Sequence, residues 1–134
     1  MSYAEWIEVT IQISSAIGAA RIGNAKIRLG KFYRVSKDTE VSPKEIDLMN
    51  IYSGSPVIMS ACGWENSASG TQGSFDIFDG ATRMGTFWWD APWAPGAANT
   101  WGFNPASDVY VGQVTGGHSS APEIGSVKLR LTKF

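Results

Sequence analysis

The chain contains 134 residues, of which 43% are hydrophobic and 17% are charged, and its formal net charge is -1. This composition is typical of one soluble globular domain spanning residues 1–134, and it excludes a disordered or strongly polyelectrolytic chain. It also argues against nucleic acid as a partner, because phosphate binding usually depends on an excess of basic residues.

The N-terminal segment, residues 1–6, has neither the basic stretch nor the apolar core of a secretory signal. We therefore expect cytoplasmic synthesis and, for extracellular action on target membranes, release by a non-classical route. The sequence has no apolar stretch close to the roughly 20 residues that a membrane-spanning helix requires. If membranes matter, the protein is expected to lie on the bilayer surface.

Alternation of apolar and polar residues predicts a first strand at Trp6–Ile13, with Trp6 on its polar face. Residues 14–20 are rich in small side chains and predict a loop, with an amphipathic membrane helix as the alternative. Turn-forming residues separate seven further predicted strands, at residues 26–34, 56–61, 74–78, 85–90, 100–103, 109–114 and 126–132. The pattern predicts an all-β fold, a single-domain antiparallel β-sandwich.

Residues with catalytic potential are few. Cys62 is the only cysteine, so it forms no intramolecular disulfide, and it is predicted to be a small buried apolar residue. Asp76 and Asp79 fall on opposite faces of one predicted strand and therefore do not suit a shared carboxylate site. The sequence carries no familiar nucleophile or metal-ligand motif, which predicts a non-enzymatic protein without cofactor or metal. An enzyme would need an unrecognised site around Cys62, His118 or the aspartates.

A glycine-rich segment, residues 70–73, resembles a phosphate-binding loop only superficially, because the lysine and the following helix of such loops are missing. We interpret it as a flexible hairpin loop. A second interpretation remains open, in which polar residues between Cys62 and Ser74 donate hydrogen bonds to a lipid phosphate.

Four of the six tryptophans fall within residues 88–101. On the predicted strand 85–90, alternation places Phe87 and Trp89 on one face and Trp88 and Asp90 on the other. The inward set is predicted to anchor the core and consists of Phe87, Trp89 and Trp101.

The remaining tryptophans are predicted to face outward. Pro92 forces a turn that presents Trp93, Trp6 lies on the polar face of its strand, and Trp64 begins a polar loop. Outward indoles settle at the headgroup level of a bilayer and can cap a cationic headgroup. Carbohydrate and protein partners use exposed aromatic clusters too, so composition alone leaves the partner open.

Five segments together resemble the aegerolysin family, and their order and spacing cover nearly the whole chain. They are residues 3–6 (YAEW), 37–42 (KDTEVS), 61–63 (ACG), 70–76 (GTQGSFD) and 89–93 (WDAPW). The resemblance implies an actinoporin-like β-sandwich that is not an enzyme and binds sphingolipid-containing membranes. It also implies the membrane-recognition half of a two-component pore-forming cytolysin, with a larger perforin-like (MACPF) partner. Oligomerisation on the membrane stays open.

Family residues transfer to this chain only in part. The family's lipid-contacting aromatics correspond to Trp6, Trp88 and Trp93, and Asp90 keeps the acid of the family's tryptophan-aspartate-cysteine-proline-tryptophan motif. The motif's cysteine is alanine here, a family tryptophan is Leu29, a lysine is missing from residues 94–98, and a loop acid is replaced by serine. These departures weaken the transfer of the family's lipid preference.

The headgroup preference is predicted from hydrogen-bonding capacity. A primary ammonium can donate hydrogen bonds to Asp90 or Glu65, whereas the quaternary ammonium of choline cannot. We therefore expect ceramide phosphoethanolamine to be preferred over sphingomyelin with cholesterol. The predicted lipid-binding set is Trp6, Trp64, Glu65, Ser69, Trp88, Asp90 and Trp93. The alternative function is a carbohydrate- or protein-binding sandwich that uses the same aromatic surface.

Overall fold

The computed structural model describes residues 5–64, 70–94 and 96–134. Within these ranges the chain forms strands and one short helix, which we number in chain order. They are β1 Trp6–Ile13, β2 Ala19–Leu29, β3 Lys31–Arg34, β4 Ser36–Val41, α1 Pro43–Ile46, β5 Asn50–Tyr52, β6 Val57–Cys62, β7 Thr71–Asp79, β8 Thr82–Ala91, β9 Thr100–Pro105, β10 Tyr110–Gly116 and β11 Gly125–Lys133.

The strands form two sheets that pack face to face. One sheet has the order β10-β11-β1-β6-β3-β4, and the other has the order β5-β2-β7-β8-β9. The strands pair in antiparallel fashion except for β1 and β11, which run parallel. The predicted all-β sandwich is confirmed.

Alternating side chains from both sheets build the core. Ile7, Val9 and Ile11 of β1 are completely buried, as the period of two predicts. Phe75 and Phe87 stack with ring centroids 5.5 Å apart. These fully buried apolar and aromatic side chains hold the two sheets together.

The predicted strand 26–34 is divided at Gly30, where the chain crosses from one sheet to the other. Gly30 has φ +84°, and a Cβ atom there would collide with the carbonyl oxygen of Cys62. β2 therefore ends in the five-stranded sheet, and β3 begins in the six-stranded sheet. The crossing places Lys31 directly opposite Cys62.

The loop interpretation of residues 70–73 is wrong. Thr71 begins β7 and pairs with Ala91, and Gly73 pairs with Trp89. A Cβ atom on Gly73 would lie 2.7 Å from the Trp89 ring. These glycines therefore serve close packing inside a sheet, not a turn.

Two strands were not predicted, β4 and β5. β4 is an edge strand of mostly exposed polar residues, and β5 has only three residues, so neither shows a clear apolar alternation. The predicted loop 14–20 is confirmed for residues 14–18, where the chain turns through a hydrogen bond from the Ile17 amide to the Ser14 carbonyl, whereas residues 19 and 20 already belong to β2.

Candidate functional site

One end of the sandwich gathers the exposed tryptophans. Trp6 at the start of β1 pairs with Cys62 at the end of β6, so both lie at this end of the six-stranded sheet. Trp64 follows two residues after β6, and Trp93 follows two residues after β8. We call this the tryptophan end, defined by Trp6, Trp64 and Trp93.

Backbone contacts fix the chain segments at the tryptophan end, one contact within each sheet. The Gly63 amide donates a hydrogen bond of 3.0 Å to the Glu5 carbonyl. Gly70 is packed so closely that a Cβ atom on it would lie 2.9 Å from the backbone nitrogen of Trp93. The segments that carry all three indoles are therefore fixed to a rigid scaffold.

The indoles of this end reach solvent to different degrees. Trp93 is 50% exposed and Trp64 is 44% exposed, whereas Trp6 is half-buried. Exposed indoles are costly in water unless a binding partner covers them. The predicted outward orientation of Trp64 and Trp93 is confirmed.

Two lysines lie over the indole rings. The Lys31 ammonium is 5.3 Å from the centre of the Trp64 ring, and the Lys37 ammonium is 4.8 Å from the centre of the Trp6 ring. Both distances are within the range of cation–π attraction. Sequence reasoning missed these lysines as site residues, because a single sequence does not tell which loops and strands meet.

Cys62 lies beneath this cluster and is completely buried. Burial raises the pKa of its thiol from 9.0 to about 11, although the positive charges of Lys31 and Lys37 act in the opposite direction. The thiol therefore stays protonated at neutral pH and is a poor nucleophile. The prediction of a small buried residue at this position is confirmed.

A cavity of about 310 Å³ opens beside the exposed ring of Trp93. Glu5 lies on one wall, and residues 120–122 of the β10–β11 loop form another. Desolvation raises the pKa of the Glu5 carboxyl group, while its own backbone amide partly compensates. Sequence reasoning did not select Glu5, although the residue is part of the segment 3–6.

Asn99 braces the loop that walls this cavity. Its side-chain amide donates hydrogen bonds of 2.9 Å to the His118 carbonyl and 2.7 Å to the Ala121 carbonyl. The residue is only 3% exposed, so these bonds form largely away from water. The loop is consequently held in one position against the cavity.

Trp88 and Asp90 lie on the outer face of the five-stranded sheet. Trp88 is half-buried and packs over Gly102, where an added Cβ atom would be 3.2 Å from the ring. Asp90 stands opposite Gln72 and Thr100. These side chains therefore lie on the outer sheet face, with Asp90 one residue before the end of β8 at the tryptophan end.

The other predicted site residues are Glu65 and Ser69, which lie outside the described residues. The inward anchors are confirmed, because Phe87 and Trp89 are 0% and 1% exposed, and Trp101 packs against the core while partly buried. Within the core, the Trp89 indole donates a hydrogen bond of 3.1 Å to the Thr71 hydroxyl.

Asp76 and Asp79 belong to two separate hydrogen-bonding groups, as predicted. Asp76 accepts hydrogen bonds from Asn24 and Thr86, whereas Asp79 accepts them from Tyr110 and Lys133. Each carboxylate therefore has a structural partner set of its own, and the two do not form a catalytic pair.

The sequence matches the family model described as Aegerolysin over residues 4–134. The chain belongs to the aegerolysin family. This aegerolysin is 34% identical over 93 residues to Asp-hemolysin of Aspergillus fumigatus, with 69% of this chain and 67% of that protein covered. It is 30% identical over 132 residues to Aegerolysin Aa-Pri1 of Cyclocybe aegerita, with 94% of this chain and 88% of that protein covered.

A solved structure is similar over nearly the whole fold. The aegerolysin superposes on the crystal structure of RahU protein in complex with a Tris molecule with a TM-score of 0.97. The two chains are 51% identical, and 99% of this chain and 98% of RahU are covered. Family membership and these relatives support a lipid-binding, membrane-active protein, not an enzyme. In the described ranges, no helix has the length and apolar character needed to cross a membrane.

Proposed function

We propose that this aegerolysin recognises membrane sphingolipids through its tryptophan end, with ceramide phosphoethanolamine preferred over sphingomyelin with cholesterol. The observation that carries the proposal is the convergence of Trp6, Trp64 and Trp93 at one end of a rigid sandwich. Indole rings partition to the headgroup region of a bilayer because they combine an apolar body with a polar N–H group.

The lysines of this end supply the charge that a lipid phosphate requires. Lys31 and Lys37 each hold an ammonium group beside an indole ring, at 5.3 Å from Trp64 and 4.8 Å from Trp6. A compact ammonium can bind a phosphate as a point charge. Because Lys31 is only 6% exposed, in this proposal the half-buried Lys37 takes the role of the family lysine that is missing from residues 94–98, and Lys31 supports it through its positive charge.

The preference for a primary ammonium rests on available acceptors. A phosphoethanolamine headgroup can donate hydrogen bonds to a carboxylate, whereas a choline headgroup cannot. The relative RahU, 51% identical, is known in complex with Tris, whose amine is also primary. Its complex is consistent with an aegerolysin surface that accepts such a group.

The same proposal assigns the chain the recognition step of a cytolysin. One relative is a hemolysin, which is consistent with action on target membranes outside the producing cell. The pore itself would be formed by a larger perforin-like protein that the membrane-bound aegerolysin recruits. Adding such a protein to vesicles should release an entrapped dye only when the aegerolysin is bound.

Vesicle sedimentation tests the lipid-binding surface. Trp93→Ala should abolish binding to vesicles of phosphatidylcholine, cholesterol and ceramide phosphoethanolamine while the far-UV circular dichroism spectrum stays unchanged. Tyr52→Ala is the matched control, because Tyr52 is 54% exposed and adjoins Ile13 at the opposite end of β1.

Two outcomes would contradict the proposal. The first is Trp93→Ala binding as well as the unmodified protein, and the second is an equal loss for Tyr52→Ala. Failure to bind any protein-free vesicle, together with binding on a glycan array, would instead support the carbohydrate-binding alternative.

A further inference from the structure

We infer that the cavity between Glu5 and Trp93 is a subsite for a primary ammonium group, with Glu5 as its counter-ion. This inference rests on the proposed function and deepens it, because it names the part of the protein that would choose between headgroups. Neither Glu5 nor the β10–β11 loop was selected from the sequence.

The cavity has the size and lining that such a group requires. Its volume of about 310 Å³ can hold a small polar headgroup, and Ala94, Gly96 and Ala97 leave room for one. Among the described residues that line it, Glu5 is the only one with an ionisable side chain. The chemistry of the cavity is therefore that of a single carboxylate beside an indole.

Glu5 is poised to accept a cation. Within the described ranges no lysine, arginine or histidine forms an ion pair with it, and burial raises the pKa of its carboxyl group. A partly desolvated carboxylate without a counter-ion gains more from an arriving ammonium than a fully hydrated one does. The exposed ring of Trp93 on the same cavity adds a cation–π surface.

A second acceptor among the lining residues distinguishes between ammonium types. Ser120 lines the cavity and provides a hydroxyl oxygen, which is a second hydrogen-bond acceptor. A primary ammonium has three N–H donors and can satisfy both Glu5 and Ser120, whereas a trimethylammonium has none. The loop that carries Ser120 is fixed by Asn99, so this geometry does not have to be assembled upon binding.

The experiment compares vesicles that contain ceramide phosphoethanolamine with vesicles that contain sphingomyelin, each with phosphatidylcholine and cholesterol. Glu5→Gln should weaken binding to the first vesicle about tenfold and leave binding to the second unchanged, because only the charge-assisted hydrogen bond is lost. Glu5→Asp, which keeps the charge, should retain the preference. Glu123→Gln is the control, since it makes the same chemical change on the β10–β11 loop that walls the cavity, at a residue that does not line it.

The results show whether the inference fails alone or together with the proposed function. If the unmodified protein prefers ceramide phosphoethanolamine and Glu5→Gln keeps that preference, the inference is wrong while the proposed function stands. Equal weakening on both vesicles would also overturn it, because the carboxylate would then act without regard to the headgroup. If the unmodified protein binds neither vesicle, the proposed function fails and the inference fails with it.

Discussion

The Lys133 ammonium donates a hydrogen bond of 2.9 Å to the carboxylate of Asp79, so the last strand is joined to the turn between β7 and β8. The Tyr110 hydroxyl donates to the same carboxylate oxygen at 3.1 Å. Asp79 therefore connects the two sheets at the end of β7 that lies opposite the tryptophan end. Its oxygen is the shared acceptor of both contacts.

Replacing Asp79 should destabilise the fold more than replacing Lys133. Asp79→Ala removes the acceptor of both hydrogen bonds, whereas Lys133→Ala removes only a half-exposed donor. We expect the melting temperature to fall by roughly 5 °C for Asp79→Ala and by less for Lys133→Ala. Differential scanning calorimetry measures both, and a larger loss for Lys133→Ala would contradict the shared-acceptor role.

Replacing Gly30 should lower the free energy of unfolding for two separate reasons. The same replacement at a second glycine, Gly54, distinguishes between them. Gly30 and Gly54 have nearly the same φ, +84° and +82°, but only Gly30 has a neighbour in the way, the carbonyl of Cys62. Gly54→Ala should therefore cost only the left-handed backbone conformation, about 1 kcal/mol. Gly30→Ala should cost the same plus the collision, in total about 3 kcal/mol or more in the free energy of unfolding.

Urea denaturation measures these two costs. Because Gly30 also positions Lys31 at the tryptophan end, Gly30→Ala should weaken vesicle binding under conditions where it is still folded. Gly54→Ala should bind normally. Equal unfolding free energies for the two variants would show that the Cys62 carbonyl yields easily and that the collision has no cost.

The faces of individual strands could be predicted from the sequence, because alternation is a local property. The period of two correctly placed Ile7, Phe87 and Trp89 in the core and directed Trp6 away from it. The division at Gly30 carried no such signal, since residues on both sides of it belong to strands. Glycine is required at this crossing because a Cβ atom would collide with a carbonyl that lies more than thirty residues further along the chain.

The composition of the candidate site could be predicted only in part. Trp64 and Trp93 each follow a strand end and were recognised as outward. Glu5 was not recognised, because its significance depends on Ser120 and the β10–β11 loop, which the parallel pairing of β1 with β11 brings near. Contacts between distant segments arise from topology, and a local pattern does not encode them.

Stability should fall at alkaline pH because of Cys62. Its thiol has a pKa of about 11 in the folded protein, raised by burial, against 9.0 as the ordinary value. Above pH 9 the unfolded chain loses this proton first, so unfolding becomes more favourable as the pH rises from about 9 to about 11. The raised pKa values of Tyr33 and Tyr110 act in the same direction.

Urea denaturation between pH 8 and 11 tests the role of Cys62. Cys62→Ala should lower stability at neutral pH through lost packing, but its stability should then decline less steeply with rising pH than that of the unmodified protein. If the free energy of unfolding declines equally with pH in the two proteins, the pKa of the Cys62 thiol is not raised by folding.

Lys37 should contribute to membrane binding through its place over the Trp6 ring, 4.8 Å from the ring centre. Lys37→Gln removes the positive charge but keeps most of the side-chain length, so the attraction for the lipid phosphate and the cation–π contact with Trp6 are lost while the indole stays covered. We expect binding to vesicles of ceramide phosphoethanolamine and cholesterol to weaken about fivefold. Vesicle sedimentation at two salt concentrations measures this change, and the salt dependence of binding should become smaller.

Lys44→Gln provides the matched comparison, because Lys44 is exposed on α1 and the substitution makes the same change in net charge at a lysine outside the two lysine–indole contacts. If both variants weaken binding equally, the effect comes from net charge and not from the tryptophan end. If Lys37→Gln alone weakens binding and does so without a change in melting temperature, the lysine acts on the lipid directly. Such a result would assign the phosphate to the Trp6 side of this end, whereas the cavity beside Trp93 would take the ammonium.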